Sequence, residues 1–67
     1  MTDIITGPGL YVLRNGRPHW VDAEVDGFWV DSTGYHGWRS NGRYEDAFED
    51  RLYDIIRRAT PEEAAKF

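Results

Sequence analysis

The chain has 67 residues, no cysteine, 15% aromatic side chains and 12 acids against 8 bases, for a net charge of −4. This length allows one domain with a thin core, and the missing cysteines exclude disulfides and thiolate metal sites. The acidic balance argues against a ligand held by its phosphate backbone, so nucleic acid is not expected as a direct partner.

No apolar run approaches the ~20 residues of a membrane-spanning helix. The opening "MTDIITGPG" lacks the basic and apolar layout of a secretory signal, so a cytoplasmic protein is expected. Residues 1–9 read as an irregular leader ending in "GPG". From Leu10 the pattern becomes strand-like: "LYVLR", then Asn15-Gly16, then "RPHWVDAEV". Asn-Gly between apolar runs predicts a hairpin with a two-residue loop, since both turn residues take positive φ. That loop sets Arg14 against Arg17, Leu13 against Pro18, Val12 against His19 and Tyr11 against Trp20. Asp26-Gly27 predicts a second two-residue turn, with Val25 facing Phe28, Glu24 facing Trp29 and Ala23 facing Val30. A looser turn centred on Thr33-Gly34 would place Trp29 opposite Trp38.

Beyond the second Asn-Gly-Arg, in "YEDAFEDRLYDIIRRA", Tyr44, Phe48, Leu52, Ile55, Ile56 and Ala59 recur at spacings of three and four. This predicts an amphipathic helix over 44–59. Acids Glu45, Asp46, Glu49 and Asp50 crowd its start, and Arg57 and Arg58 close it, as the helix dipole favours. "TPEE" then predicts a fresh, short helix over 60–67, with Thr60 as N-cap, Pro61 at the first position and Glu63 closing a capping box.

The expected fold is α+β: a three- to four-stranded antiparallel meander packed on one C-terminal amphipathic helix. Residues 10–59 form this single sheet-plus-helix domain. Strand alternation gives the sheet an aliphatic face (Leu10, Val12, Val21, Ala23, Val25, Phe28, Val30) for the helix to cover. The opposite face carries Tyr11, Trp20, Trp29 and Trp38, with Asp22, Glu24, Asp31 and His36 among them. The nine-residue spacing of these four aromatics follows from the meander and is not an internal repeat. Two readings of this second face stay open. It is a binding surface with a polar rim, or the sheet curls into a small barrel and buries the rings as a second core.

Few residues suggest chemistry. Asp22, Glu24, Asp31 and His36 lack the spacing of a metal site, so no metal or other cofactor is expected. Ser32 and Ser40 sit in turn-like segments outside any nucleophile motif, and no glycine run precedes a lysine as a phosphate loop requires. Arg14, Arg17, Arg39 and Arg43 gather near the two Asn-Gly turns as a small basic tip, which ordinary hairpin-end solubility also explains.

"GLYVLRNGRPHWV" followed by "GWRSNGRYEDAFEDRLYDII" resembles short proteins of tailed phages and prophages. The matching positions are Gly9, Tyr11, Arg14, Gly16, Val21, Trp38, Gly42, Tyr44, Asp54 and Ile55. That group carries no shared activity. The resemblance implies a phage setting, where proteins of this size often bind and block a host protein such as a transcription or defence enzyme, anti-CRISPR proteins being one class. The expectation is therefore a non-catalytic protein that binds a host protein. Its surface would be the aromatic face with its acidic rim (Tyr11, Trp20, Asp22, Glu24, Trp29, Asp31, His36, Trp38) or the acidic helix face (Glu45, Asp46, Glu49, Asp50, Asp54). The competing expectation is a small-ligand or nucleotide binder that stacks bases on the tryptophans. A thin core with no staple also suggests a homodimer formed through sheet faces or the helix.

Overall fold

The computed structural model describes residues 3–45 and 51–66. It contains strands β1 (Gly9–Leu13), β2 (Pro18–Val21), β3 (Ala23–Val25), β4 (Phe28–Val30), β5 (Gly37–Trp38) and β6 (Ile55–Arg58), a 3-10 turn at Arg51–Tyr53, and helix α1 (Pro61–Ala65). Two three-stranded antiparallel sheets form, in the orders β2-β1-β6 and β3-β4-β5, and they do not close into a barrel. Among the described residues no helix is long and apolar enough to cross a membrane.

The first hairpin departs from the expected register by one residue. Leu10 faces Trp20, Tyr11 faces His19 and Val12 faces Pro18. The loop has three residues, Arg14 to Gly16. Leu13 N–H donates to Arg17 O at 2.9 Å, Gly16 N–H donates to Leu13 O at 2.9 Å, and Gly16 takes φ +86°. A left-handed glycine closing a three-residue loop is the usual alternative to the two-residue turn. Two contacts select it here. Asn15 Oδ1 accepts the Arg17 N–H at 2.9 Å. The backbone N–H groups of Arg14 and Asn15 donate to Asp54 O and Leu52 O. The loop is thus shaped by a segment nearly forty residues downstream.

A one-residue slip exchanges the faces of a strand relative to its partner. His19 and Val21 therefore join Tyr11 and Leu13, while Trp20 joins Leu10 on the other side and is 54% exposed.

The second hairpin has the expected pairs, Val25–Phe28, Glu24–Trp29 and Ala23–Val30, around Asp26 (φ +52°) and Gly27 (φ +85°). The third turn also places Trp29 opposite Trp38. Thr-Gly is a weak turn former, and Asp31 stabilises it. Its Oδ1 accepts from the Thr33 hydroxyl at 2.6 Å and from the Thr33 and Gly34 N–H groups at 3.1 Å.

The expected helix over 44–59 does not form in its described part. Tyr44 bridges to Trp38, residues 51–53 make one 3-10 turn, and Ile55–Arg58 is a strand on β1. Leu52 and Ile56, both placed on the expected stripe, are exposed. The open edge of β1 requires partners for its backbone groups, and the β-branched pair Ile55-Ile56 supplies a strand more readily than a helix. Tertiary pairing overrides local periodicity. Phe48 of the stripe lies outside the described residues.

α1 follows the sequence closely. Glu63 N–H donates to Thr60 Oγ1 at 3.2 Å and Thr60 N–H donates to Glu63 Oε1 at 2.9 Å, which is a complete capping box. Arg57 forks onto the same carboxylate at 2.7 and 3.0 Å and, with the Thr60 N–H, draws its pKa down to about 2.

The core lies between the two sheets: Ile5, Tyr11, Leu13, Val21, Trp38, Tyr44 and Ile55, with Ile4 and Trp29 packed against it. The leader is part of this core through Ile5, held by paired donation of the Ile4 and Ile5 N–H groups to Ser40 O. Tyr11, Trp29 and Trp38 of the expected aromatic face therefore turn to the interior, Tyr11 and Trp38 fully buried, while Trp20 is left outside. Tyr11 is anchored by donating its hydroxyl to Gly7 O at 2.8 Å and by the Arg58 guanidinium, 5.3 Å above its ring.

Candidate functional site

The expected site residues disperse in the folded chain. Tyr11 and Trp38 are core. Trp29 is half-buried, with an indole N–H that is buried and has no hydrogen-bond partner among the described residues. Trp20, Asp22 and Glu24 are exposed, but Trp20 stands on the outer side of the first sheet, above a shallow cleft that it shares with Leu10, Arg58 and α1. Glu45 is half-buried and ties to Arg39 at 2.6 Å. Asp46, Glu49 and Asp50 lie outside the described residues.

Asp31 and His36 do come together, with two residues the sequence reading placed elsewhere: His19, expected opposite Val12 on the aliphatic side, and Tyr44, expected on the helix stripe. His19 Nε2 is 2.8 Å from Asp31 Oδ2, and His36 Nδ1 is 2.7 Å from the Tyr44 hydroxyl. The two imidazoles meet edge to face at 5.5 Å, and both lie against Trp38. His19 belongs to β2 and Asp31 follows β4, so this hydrogen bond links the two sheets. The link depends on the one-residue slip that turns His19 inward. Among the described residues, no three His, Cys, Asp or Glu side chains gather as a metal ion needs, and the hydroxyl that meets His36 belongs to Tyr44, a buried core residue. The geometry suits a structural clasp.

Burial works to raise the Asp31 pKa. The hydrogen bonds from Thr33 and His19, with the positive charge of His36 and His19, outweigh it and hold the carboxyl below its ordinary 3.8. A depressed folded-state value stabilises the fold above the unfolded value, and the contribution disappears as pH falls through the folded one. Asp31→Asn is therefore expected to cost about 1–3 kcal/mol at pH 7. In urea titrations across pH, that gap should narrow below 3.8. A gap that stays constant down to the acid limit would contradict the ionised-carboxylate account.

The open apolar surface lies elsewhere. Alternation puts Ala23, Val25, Phe28 and Val30 on the face of the second sheet that turns away from the core. This is the face that a helix was expected to cover. Val25 is 52% exposed and Tyr35 86%. With Phe28, Val30 and His36 they line an open groove of about 650 Å³, edged by Asp26 and Glu45. The Arg39 guanidinium stands 5.3 Å over the Phe28 ring, braced by its bond to Glu45. Sequence alternation sorts these residues onto one face, but nothing in the pattern says which face is interior.

No protein family, curated protein or solved structure matches this chain. Five of the ten positions that carry the phage-protein resemblance are core side chains (Tyr11, Val21, Trp38, Tyr44, Ile55), and three are glycines with positive φ (Gly9, Gly16, Gly42). They describe a scaffold rather than a site.

Proposed function

We propose that this chain is a non-catalytic binding protein that engages a host protein, in the manner of the short phage proteins it resembles, through the outer face of β3 and β4. The supporting observation is the groove of Val25, Phe28, Val30 and Tyr35. It is an apolar sheet face with acidic edges, next to β3, an edge strand of its sheet among the described residues. A large apolar area rimmed by charge is characteristic of protein contact sites. The acids Asp26 and Glu45 at its edge favour a partner with basic residues around an apolar centre. A nucleotide stacked on tryptophan is less well supported, because Trp38 has no exposed ring and Trp20 projects alone on another surface.

Replacing Tyr35 with a photo-crosslinking phenylalanine should capture a host protein in the native cell, and the same substitution at Arg17 should not. The double variant Val25→Asp, Tyr35→Ala should abolish capture of that protein by the tagged chain. It should change stability by less than about 0.5 kcal/mol, as surface positions do. Capture that persists in the double variant, or that occurs only from Arg17, would overturn the reading. Capture of a second copy of this chain would indicate a homodimer through that face.

A further inference from the structure

Among the described residues β3 is paired on one side only, with β4 along one edge and no strand along the other. The loop of Asp26 and Gly27 has two residues, so its flanking pair, Val25 and Phe28, exchanges hydrogen bonds and the next pair, Glu24 and Trp29, does not. The Glu24 N–H and C=O therefore point away from β4, to the open side. Backbone groups left this way are a template for another strand.

Three acids alternate along this edge, Asp22, Glu24 and Asp26, and all are exposed. None of them forms an ion pair among the described residues. Residues 1, 2, 46–50 and 67 include no lysine or arginine that could neutralise them. Between the acids, Ala23 and Val25 turn to the groove side, where the exposed Val25 continues into Phe28 and Val30. Within five residues β3 thus offers free main-chain groups, a row of unpaired negative charge and an apolar flank.

We infer that a strand of the partner extends the sheet at β3: an extended segment with basic residues at alternate positions and apolar residues between them. This rests on the groove being a protein contact site and names the form in which the partner arrives. The Glu24 N–H and C=O supply the main-chain hydrogen bonds of such a pairing. The partner's basic side chains fall beside Asp22, Glu24 and Asp26. Its intervening residues fall on the groove side and lengthen the apolar face that Val25 and Phe28 begin. A second copy of the chain does not fit. Antiparallel pairing centred on Glu24 would set the two Glu24 side chains against each other and Asp22 against Asp26, and like charges directly opposite are destabilising. The acids that bar self-pairing admit a strand of opposite charge.

The test is NMR titration of the intact chain with three peptides. The first is acetyl-Lys-Val-Arg-Val-Lys-amide. The second replaces each basic residue with glutamate. The third is the basic peptide N-methylated throughout, which keeps the side chains and loses the donors. Saturable shifts at the Glu24 amide, with slowed exchange of that N–H, are expected for the first peptide alone. Glu24→Lys, at an exposed position, should weaken binding of the basic peptide about tenfold or more. No saturable shift with the basic peptide, equal shifts with the acidic one, or undiminished binding of the N-methylated one would overturn strand addition. Crosslinking from Tyr35 reads the groove separately. Negative peptide results with capture retained remove the strand and keep the contact site, whereas loss of capture removes both.

Discussion

Trp38→Ala should leave the chain unfolded at room temperature. The indole is fully buried at the centre of the core. It contacts the rings of His19, His36 and Tyr44 at centroid distances of 5.0, 6.1 and 5.6 Å. Its Nε1–H donates to Tyr53 O at 2.8 Å, which ties the 3-10 turn to β5. Truncating a buried tryptophan costs about 3–5 kcal/mol. Loss of the part-buried hydrogen bond to the Tyr53 carbonyl adds about 0.5–1.5 kcal/mol. Whole domains have only about 5–15 kcal/mol, and one this short belongs at the low end. Far-UV circular dichroism should show no cooperative melting transition. Trp38→Phe keeps the ring contacts and loses the donor, so it should melt cooperatively at reduced temperature. A Trp38→Ala midpoint within a few degrees of the parent would show that the ring is a surface group after all.

Gly42→Ala should be the second most damaging change, and a comparison with Gly16→Ala separates its causes. Both glycines take left-handed φ, +89° and +86°. A Cβ at Gly16 meets nothing, so alanine there should cost only the conformational term of about 1–2 kcal/mol. At Gly42 the Cβ would overlap the Ile55 carbonyl oxygen and come within 3.2 Å of Ile4 Cδ1. The backbone cannot move aside easily. Gly42 N–H donates to Arg39 O at 2.8 Å, and its own carbonyl accepts the Ile55 N–H at 2.7 Å. Overpacking adds about 1–3 kcal/mol to the conformational cost. Urea unfolding should therefore show Gly42→Ala losing clearly more than Gly16→Ala. Equal losses would mean that the Ile55 strand yields to the added methyl.

Several features needed no tertiary information. Asp26-Gly27 specifies its hairpin because both residues tolerate positive φ and the flanking strands are short and apolar. Thr60, Pro61 and Glu63 specify the start of α1, since a capping box is satisfied within four residues. The pairing of Trp29 with Trp38 also follows from local turn geometry. Charge and the absence of cysteine likewise limit the ligands the chain can hold.

The remaining features depended on contacts distant in sequence. Asn15-Gly16 is compatible with two loops, and the N–H groups of Arg14 and Asn15 select the longer one by pairing with Asp54 and Leu52. That choice turns His19 inward to Asp31 and leaves Trp20 outside. The stripe of Tyr44, Leu52, Ile55 and Ile56 satisfies helical spacing, but the edge of β1 draws Ile55–Arg58 into a strand, because unpaired backbone groups cost more than a weak local preference returns.

Alternation by itself divided the strands into an aromatic and an aliphatic face. Only the tertiary packing determined that Tyr11, Trp29 and Trp38 face the interior, which left Val25, Phe28, Val30 and Tyr35 at the surface. The sequence by itself therefore determined the Asp26-Gly27 and Thr33-Gly34 turns, the helix cap and the alternation of the strands, where interactions span a few residues. The tertiary structure alone decided the register of the first hairpin and which faces lie inside and outside, because each depends on which distant backbone edge or apolar face is available to be covered.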